Sequence, residues 1–198
     1  MVTDSHQEIA ITYAHLPAGY IVGKLLSEKF ESRIKSYYVF WFWGLFGSIA
    51  PDLDYLYLKL FDARKYDHHY YLTHIPLIWG MLLAGSILWL IASKKSQIPV
   101  LAFMFSLNGF FHLILDSVPH RIFWMAPLSY KGYSLASLIS RIDPAMIDEH
   151  PFWNKSVEAI IFIVAWYLFI YNGNSGRNSS KNTSTNSSDP NQQEHLGR

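Results

Sequence analysis

The chain contains no cysteine. Disulfides, thiolate nucleophiles and cysteine-built zinc sites are therefore excluded, and any bound metal must use imidazole, carboxylate, carbonyl or water. Charge is also scarce: Asp, Glu, Lys and Arg make up 16% of the 198 residues, against about a quarter in ordinary soluble domains. The net charge is only +1 with histidine neutral, and no basic stripe stands out, so nucleic acid is not an expected partner. No period-two alternation competes with helix, and no internal repeat is visible. The stretch from Met1 to Glu8 is polar and lacks the basic start of a signal peptide, so entry into a membrane is expected through internal helices.

What is present is apolar. Hydrophobic residues reach 51% and aromatics 17%, including seven Trp. Long apolar stretches run over about 9–26, 36–50, 75–93, 98–118 and 157–171, separated by polar or Pro-marked breaks. The expected fold is all-α: a polytopic membrane bundle of about four or five helices. The third and fourth stretches reach the 17–20 residues that a bilayer requires. The second and fifth are shorter and would rely on flanking aromatics (Tyr37, Tyr38, Trp41, Trp43, Trp153 and Tyr171) at the interface. The first carries His15 and Lys24. A soluble helical bundle with unusually apolar helices is the alternative. Residues 1–171 read as one membrane-embedded domain. Residues 172–198 are rich in Asn, Ser and Gly and read as a disordered tail.

The polar residues inside this apolar chain are not scattered. His15 lies near the start of the first helix, and Asp52 and Asp54 follow the second in Pro51-Asp52-Leu53-Asp54. His68, His69 and His74 precede the third helix, Asn108, His112 and Asp116 belong to the fourth with His120 just beyond its expected end at Pro119, and Asp148, Glu149 and His150 precede the fifth. In an up-down bundle the starts of odd helices and the ends of even ones share one face. Every cluster therefore falls at the same end. Asn108, His112, Asp116 and His120 are also spaced by four, which puts them in one stripe on an α-helix. In an apolar helix such a stripe must face protein, water or metal. Taken singly, Pro51–Asp54 could be a capped turn, His68 and His69 a solvated loop pair, and His112 a hydrogen-bonded core histidine. Together they point to a metal site at one end of the bundle.

At these residues the chain resembles the inner-membrane metal-dependent hydrolase family that includes LexA-regulated members, a family whose layout is reminiscent of zinc-dependent phospholipase C. Its recurring elements are an N-terminal helix with a His, then PDxD, then HRGxTHS, then an HxxxD helix followed by Pro and an aromatic-Pro stretch. Here they stand as Ala14-His15, Pro51-Asp52-Leu53-Asp54, His69-Tyr70-Tyr71-Leu72-Thr73-His74, His112-Leu113-Ile114-Leu115-Asp116 and Trp124-Met125-Ala126-Pro127, covering about residues 10–130. Tyr70 and Tyr71 replace the family's Arg-Gly, and Ile75-Pro76 replaces the Ser after the second His, which removes a basic residue that could meet an anionic substrate.

The resemblance implies a metal-dependent hydrolase of phosphoester or lipid-linked substrates, bound to the lipid bilayer of a bacterial or archaeal inner membrane. Expected metal ligands are His15, Asp52, His69, His74, His112 and Asp116, with Asp54 as general base or bridging ligand. Imidazole plus carboxylate suits Zn²⁺, with Mn²⁺ or Fe²⁺ as alternatives, better than an all-oxygen Mg²⁺ or Ca²⁺ site. Arg121 and Lys131 could pair with an anionic substrate or serve as ordinary interfacial cations. An ion transporter or a membrane protein with a purely structural metal site would use the same His/Asp cluster. Lys29, Arg33, Lys35, Lys94 and Lys95 in the short loops away from the cluster point to the cytoplasm for that side and for the tail. Lys59, Arg64 and Lys65 on the site side weaken this bias. Neither the substrate nor the oligomeric state is legible.

Overall fold

The computed structural model describes residues 8–61, 71–135, 137–138 and 155–171. The loop pair His68 and His69, the Asp148-Glu149-His150 segment and the tail beyond 171 lie outside the described residues.

Six helices are described: α1 (Glu8–Ser27), α2 (Tyr37–Ile49), α3 (Leu53–Phe61), α4 (Pro76–Ala92), α5 (Ile98–Asp116) and α6 (155–171). No strand is named among the described residues; Ile122 and Tyr133 form an isolated antiparallel bridge after α5. The helix starts follow local chemistry. Ser36 caps α2, its side chain accepting from the Val39 amide. Pro76 and Pro99 sit in the first turns of α4 and α5, where a missing amide is harmless. Four of the apolar stretches correspond closely to α1, α2, α4 and α6, and the fourth stretch ends earlier than expected. α5 stops at Asp116 and Ser117 caps it, so His120 lies beyond the helix. The sequence reading did not foresee α3. Leu53–Phe61 is helical directly after Pro51, so the PDxD segment joins two helices rather than ending one.

α5 is the axis. It packs on α2 and α4, and more lightly on α1, while α1 packs on α2. The α2–α5 crossing is close because α2 presents small residues. A side chain added at Gly47 would come within 2.3 Å of the Phe105 backbone oxygen. Asn108 of α5 donates from Nδ2 to the Gly44 carbonyl at 3.0 Å. Such small-residue contacts are how helices approach closely when apolar burial alone gives no preference. Phe40, Val100 and Met104 form one core cluster, and Ala50, Trp79 and Leu113 another nearer the site.

Much apolar surface is left uncovered. Leu82, Leu88 and Ile91 on α4, and Ile163, Trp166 and Phe169 on α6, are all exposed. Among the described residues, α5 is the helix long and apolar enough to cross a membrane, with a mean hydropathy of 1.9 over its best window. α4 is equally apolar in character but has 17 residues, at the lower limit for spanning.

Candidate metal centre

The polar clusters meet at one end of the bundle. α1 brings His15 to the centre and α5 brings His112 and Asp116. The turn between α2 and α3 supplies Asp52 and Asp54, and the short 3₁₀ turn Leu72–His74 supplies His74. One ligand atom from each of Asp52, His74, His112 and Asp116 lies within 4.8 Å of every other. His112 Nε2 is 3.0 Å from Asp116 Oδ2 and 3.3 Å from Asp52 Oδ1. His74 Nε2 is 3.5 Å from Asp116 Oδ2 and 3.8 Å from Asp52 Oδ1.

These separations bear on whether an ion fits. Donor atoms about 2.0–2.1 Å from a tetrahedral zinc lie about 3.3 Å from one another. The four cross distances, 3.0 to 3.8 Å, bracket that edge. His112 Nε2 is buried and makes no hydrogen bond among the described residues despite its near neighbours. Ligand atoms that lie close together without bonding to one another are the arrangement expected where a third body belongs between them.

The far side of each imidazole is fixed. His112 Nδ1 lies 2.8 Å from the Ser48 carbonyl. A carbonyl only accepts, so Nδ1 carries a proton, which leaves Nε2 as the nitrogen whose lone pair an ion would take up. His74 Nδ1 lies 2.6 Å from Asp54 Oδ2, and Asp54 also accepts from the Thr73 hydroxyl. This is the outer support that metal-bound histidines normally have. The turn carrying His74 is itself anchored. Trp79 Nε1 donates to the Thr73 carbonyl at 2.7 Å, and the indole lies so close to Gly109 that a side chain there would meet it at 2.0 Å. Ile75, the next residue, packs with Phe123 and Ala126 of the Trp124–Pro127 region.

Electrostatics outside the helices follow the same pattern. Burial pulls the His74 pKa down, but Asp116 and Asp54 outweigh it and hold it above the ordinary histidine value. Burial pushes Asp52 up, and His112, followed by His15, outweighs it and leaves the carboxyl below its usual range. The side chain of Asp52 is 21% exposed, against 0% for His74 and His112 and 6% for Asp116, so the cluster opens at Asp52.

The remaining site residues divide. His15 is buried, stacked on His112 with ring centroids 3.8 Å apart, and its Nε2 is 3.2 Å from Asp116 Oδ1. Asp54 stands behind His74, on the Nδ1 side, and is outside the four-residue group. His69 lies outside the described residues. Arg121 is exposed, and the Lys131 ammonium sits over the Tyr133 ring at 5.8 Å; neither joins the cluster. Asn108, in the same stripe as His112, uses its Nδ2 to hold α5 to α2. Sequence reasoning missed Ser48, which acts through its carbonyl and so leaves no side-chain signature. It also missed Thr73 and Trp79; Thr73, adjoining His74, was the one of these that a motif could have flagged.

Comparison with known proteins places this geometry in a family. Neither the curated proteins nor the solved structures give a significant match. A family model described as YdjM inner membrane protein matches residues 11–176, a span that includes every residue of the cluster, and the chain belongs to that family.

Proposed function

We propose that the protein is a polytopic inner-membrane hydrolase with a divalent metal centre held by Asp52, His74, His112 and Asp116, acting on phosphoester or lipid-linked substrates. The observation that carries the metal reading is the convergence of four ligand atoms at tetrahedral-edge spacing, with both histidines anchored from behind. Zn²⁺ suits this donor set best, with Mn²⁺ or Fe²⁺ next. A bound divalent ion would supply Lewis acidity, lowering the pKa of a water and polarising a phosphoryl or acyl oxygen.

The chain's own residues do the rest. The Ser48 carbonyl and Asp54 hold the two imidazole tautomers. Asp52, partly exposed, is the side on which a substrate enters, and Asp54 serves as an orienting carboxylate rather than as the general base. Leu53, next to Asp52 in the chain, Tyr57 on the same short helix and Leu72 in the turn of His74 are exposed and favour an amphiphile over a small polar substrate. The uncovered apolar faces of α2, α4 and α6 support several crossings of the bilayer. The Lys and Arg bias of the loops away from the site supports a cytoplasmic position for them and for the tail. Cysteine labelling at Ser96 and Ser129 in intact cells tests the orientation.

Elemental analysis of detergent-purified protein, followed by a panel of phosphate and carboxylate esters with and without chelator, tests the function. The expected result is bound zinc and chelator-sensitive hydrolysis. Bound metal with no hydrolysis, and thermal stability that falls on chelation, would make the centre structural. Metal-driven flux across sealed vesicles would make the chain a transporter. Absence of metal would overturn the site itself.

A further inference from the structure

The four-residue group closes without His15, yet His15 is buried as deeply as its members, with 2% of its surface exposed. Neither of its ring nitrogens has a hydrogen-bond partner among the described residues. A buried imidazole with both nitrogens unspent is unfavourable unless something else engages them. The direction of the ring indicates what that is. Asp116 divides its carboxylate: Oδ2 faces His112 and His74, at 3.0 and 3.5 Å, while Oδ1 faces His15 Nε2 at 3.2 Å. The latter distance again matches the edge between two ligands of one ion. The His15 and His112 rings are stacked 3.8 Å apart and are nearly parallel, at 18°. Two imidazoles side by side, each aimed at a different oxygen of one carboxylate, are the arrangement in which that carboxylate could bridge two ions, as in two-metal hydrolytic centres. A second carboxylate oxygen is also unspent at the cluster: Asp52 Oδ2 is buried and without a hydrogen-bond partner among the described residues.

We infer that Asp116 bridges two metal positions and that His15 is the protein ligand particular to the second. This rests on the metal reading above and narrows it. A pair of ions clamps the attacking and leaving oxygens of an in-line displacement, so the favoured substrate becomes a phosphoester rather than a carboxylate ester.

Full-length protein in detergent, stripped with chelator and titrated with Mn²⁺, provides the test. Two ions per wild-type chain are expected, with the spin-coupled EPR spectrum of a close pair at the second equivalent. His15→Gln, checked for retained helical content and a single size-exclusion peak, is expected to bind one ion and to show only an isolated-ion spectrum. A single, uncoupled ion in the wild type would overturn the second position while leaving the first. Two ions retained in His15→Gln would overturn the role of His15. No bound ion at all would overturn both readings. Should the variant fail to fold, the wild-type stoichiometry and coupling decide the second position, and His15→Asn takes the place of His15→Gln in the same two measurements.

Discussion

The bundle has a polar knot at each end, and the two are built on opposite principles. At the end away from the cluster, Arg33 reaches from the α1–α2 connection to the α4–α5 connection. Its guanidinium donates to the carbonyls of Leu90, Ser93 and Ser96. Beside it, Gln97 accepts from the Lys35 amide at 3.1 Å and donates to the Ser36 carbonyl at 3.2 Å. Donors meet acceptors directly, and the knot closes on itself. At the other end, carboxylates and imidazoles crowd together while His112 Nε2, both His15 nitrogens and Asp52 Oδ2 make no hydrogen bonds among the described residues. A structural polar group is paired because an unpaired one is costly. A cluster that is buried, preoriented and unsatisfied among the described residues could hold an ion.

The sharpest way to break this comparison is at His112. His112→Ala should abolish stoichiometric metal binding at the four-residue centre, read by elemental analysis, and hydrolysis should vanish with it. Unchanged metal content would reduce the cluster to ordinary core polarity. Asp54→Asn acts one step removed, on the partner of His74 Nδ1, and should weaken metal affinity about 10- to 100-fold without removing the site. A competition titration against a chromophoric chelator measures this. Arg33→Met attacks the opposite knot. It should lower stability by about 2 kcal/mol through lost charge-assisted hydrogen bonds, seen as earlier thermal unfolding in detergent, with metal content unchanged. If Arg33→Met also empties the metal centre, the two ends are not independent.

The smallest effect is a matter of sign. The pKa of His74 is raised in the folded metal-free protein. The stability it contributes there is fully present below the ordinary histidine value and is lost as pH rises through the raised one. Metal binding has the opposite dependence, because a proton on His74 must leave before an ion can bind. Affinity should therefore increase with pH, by up to about tenfold per unit for each proton displaced. Thermal unfolding across pH, with and without Zn²⁺, should give slopes of opposite sign. Parallel slopes would show that His74 does not ligate.

Much of this was legible beforehand. The four-residue spacing of Asn108, His112 and Asp116 placed them on one helical face, and all three are buried. The alternation of helix direction put His15, Asp52, Asp54 and His74 at the same end as His112 and Asp116. α3 was not legible, because Leu53–Phe61 has only nine residues, is mixed with charge and directly follows the Pro51 break that marks the end of α2. The division of labour between Asp52 and Asp54 was equally hidden. Two carboxylates separated by one residue look alike in sequence, and only the packed turn decides which faces Nε2 of His74 and which faces Nδ1.

The sequence by itself determined the helical class, the shortage of charge, the absence of thiolate ligands and the end of the bundle at which histidine and aspartate gather. These follow from composition and periodicity, which are properties of single segments. Tertiary structure alone decided which atoms meet. The His112 ring is aimed by a carbonyl on α2, the turn of His74 is held by an indole resting on Gly109, and the oxygens of Asp116 are shared among three rings. Each of these depends on ångström-scale distances between helices, and such distances are set by packing rather than by any one stretch of chain.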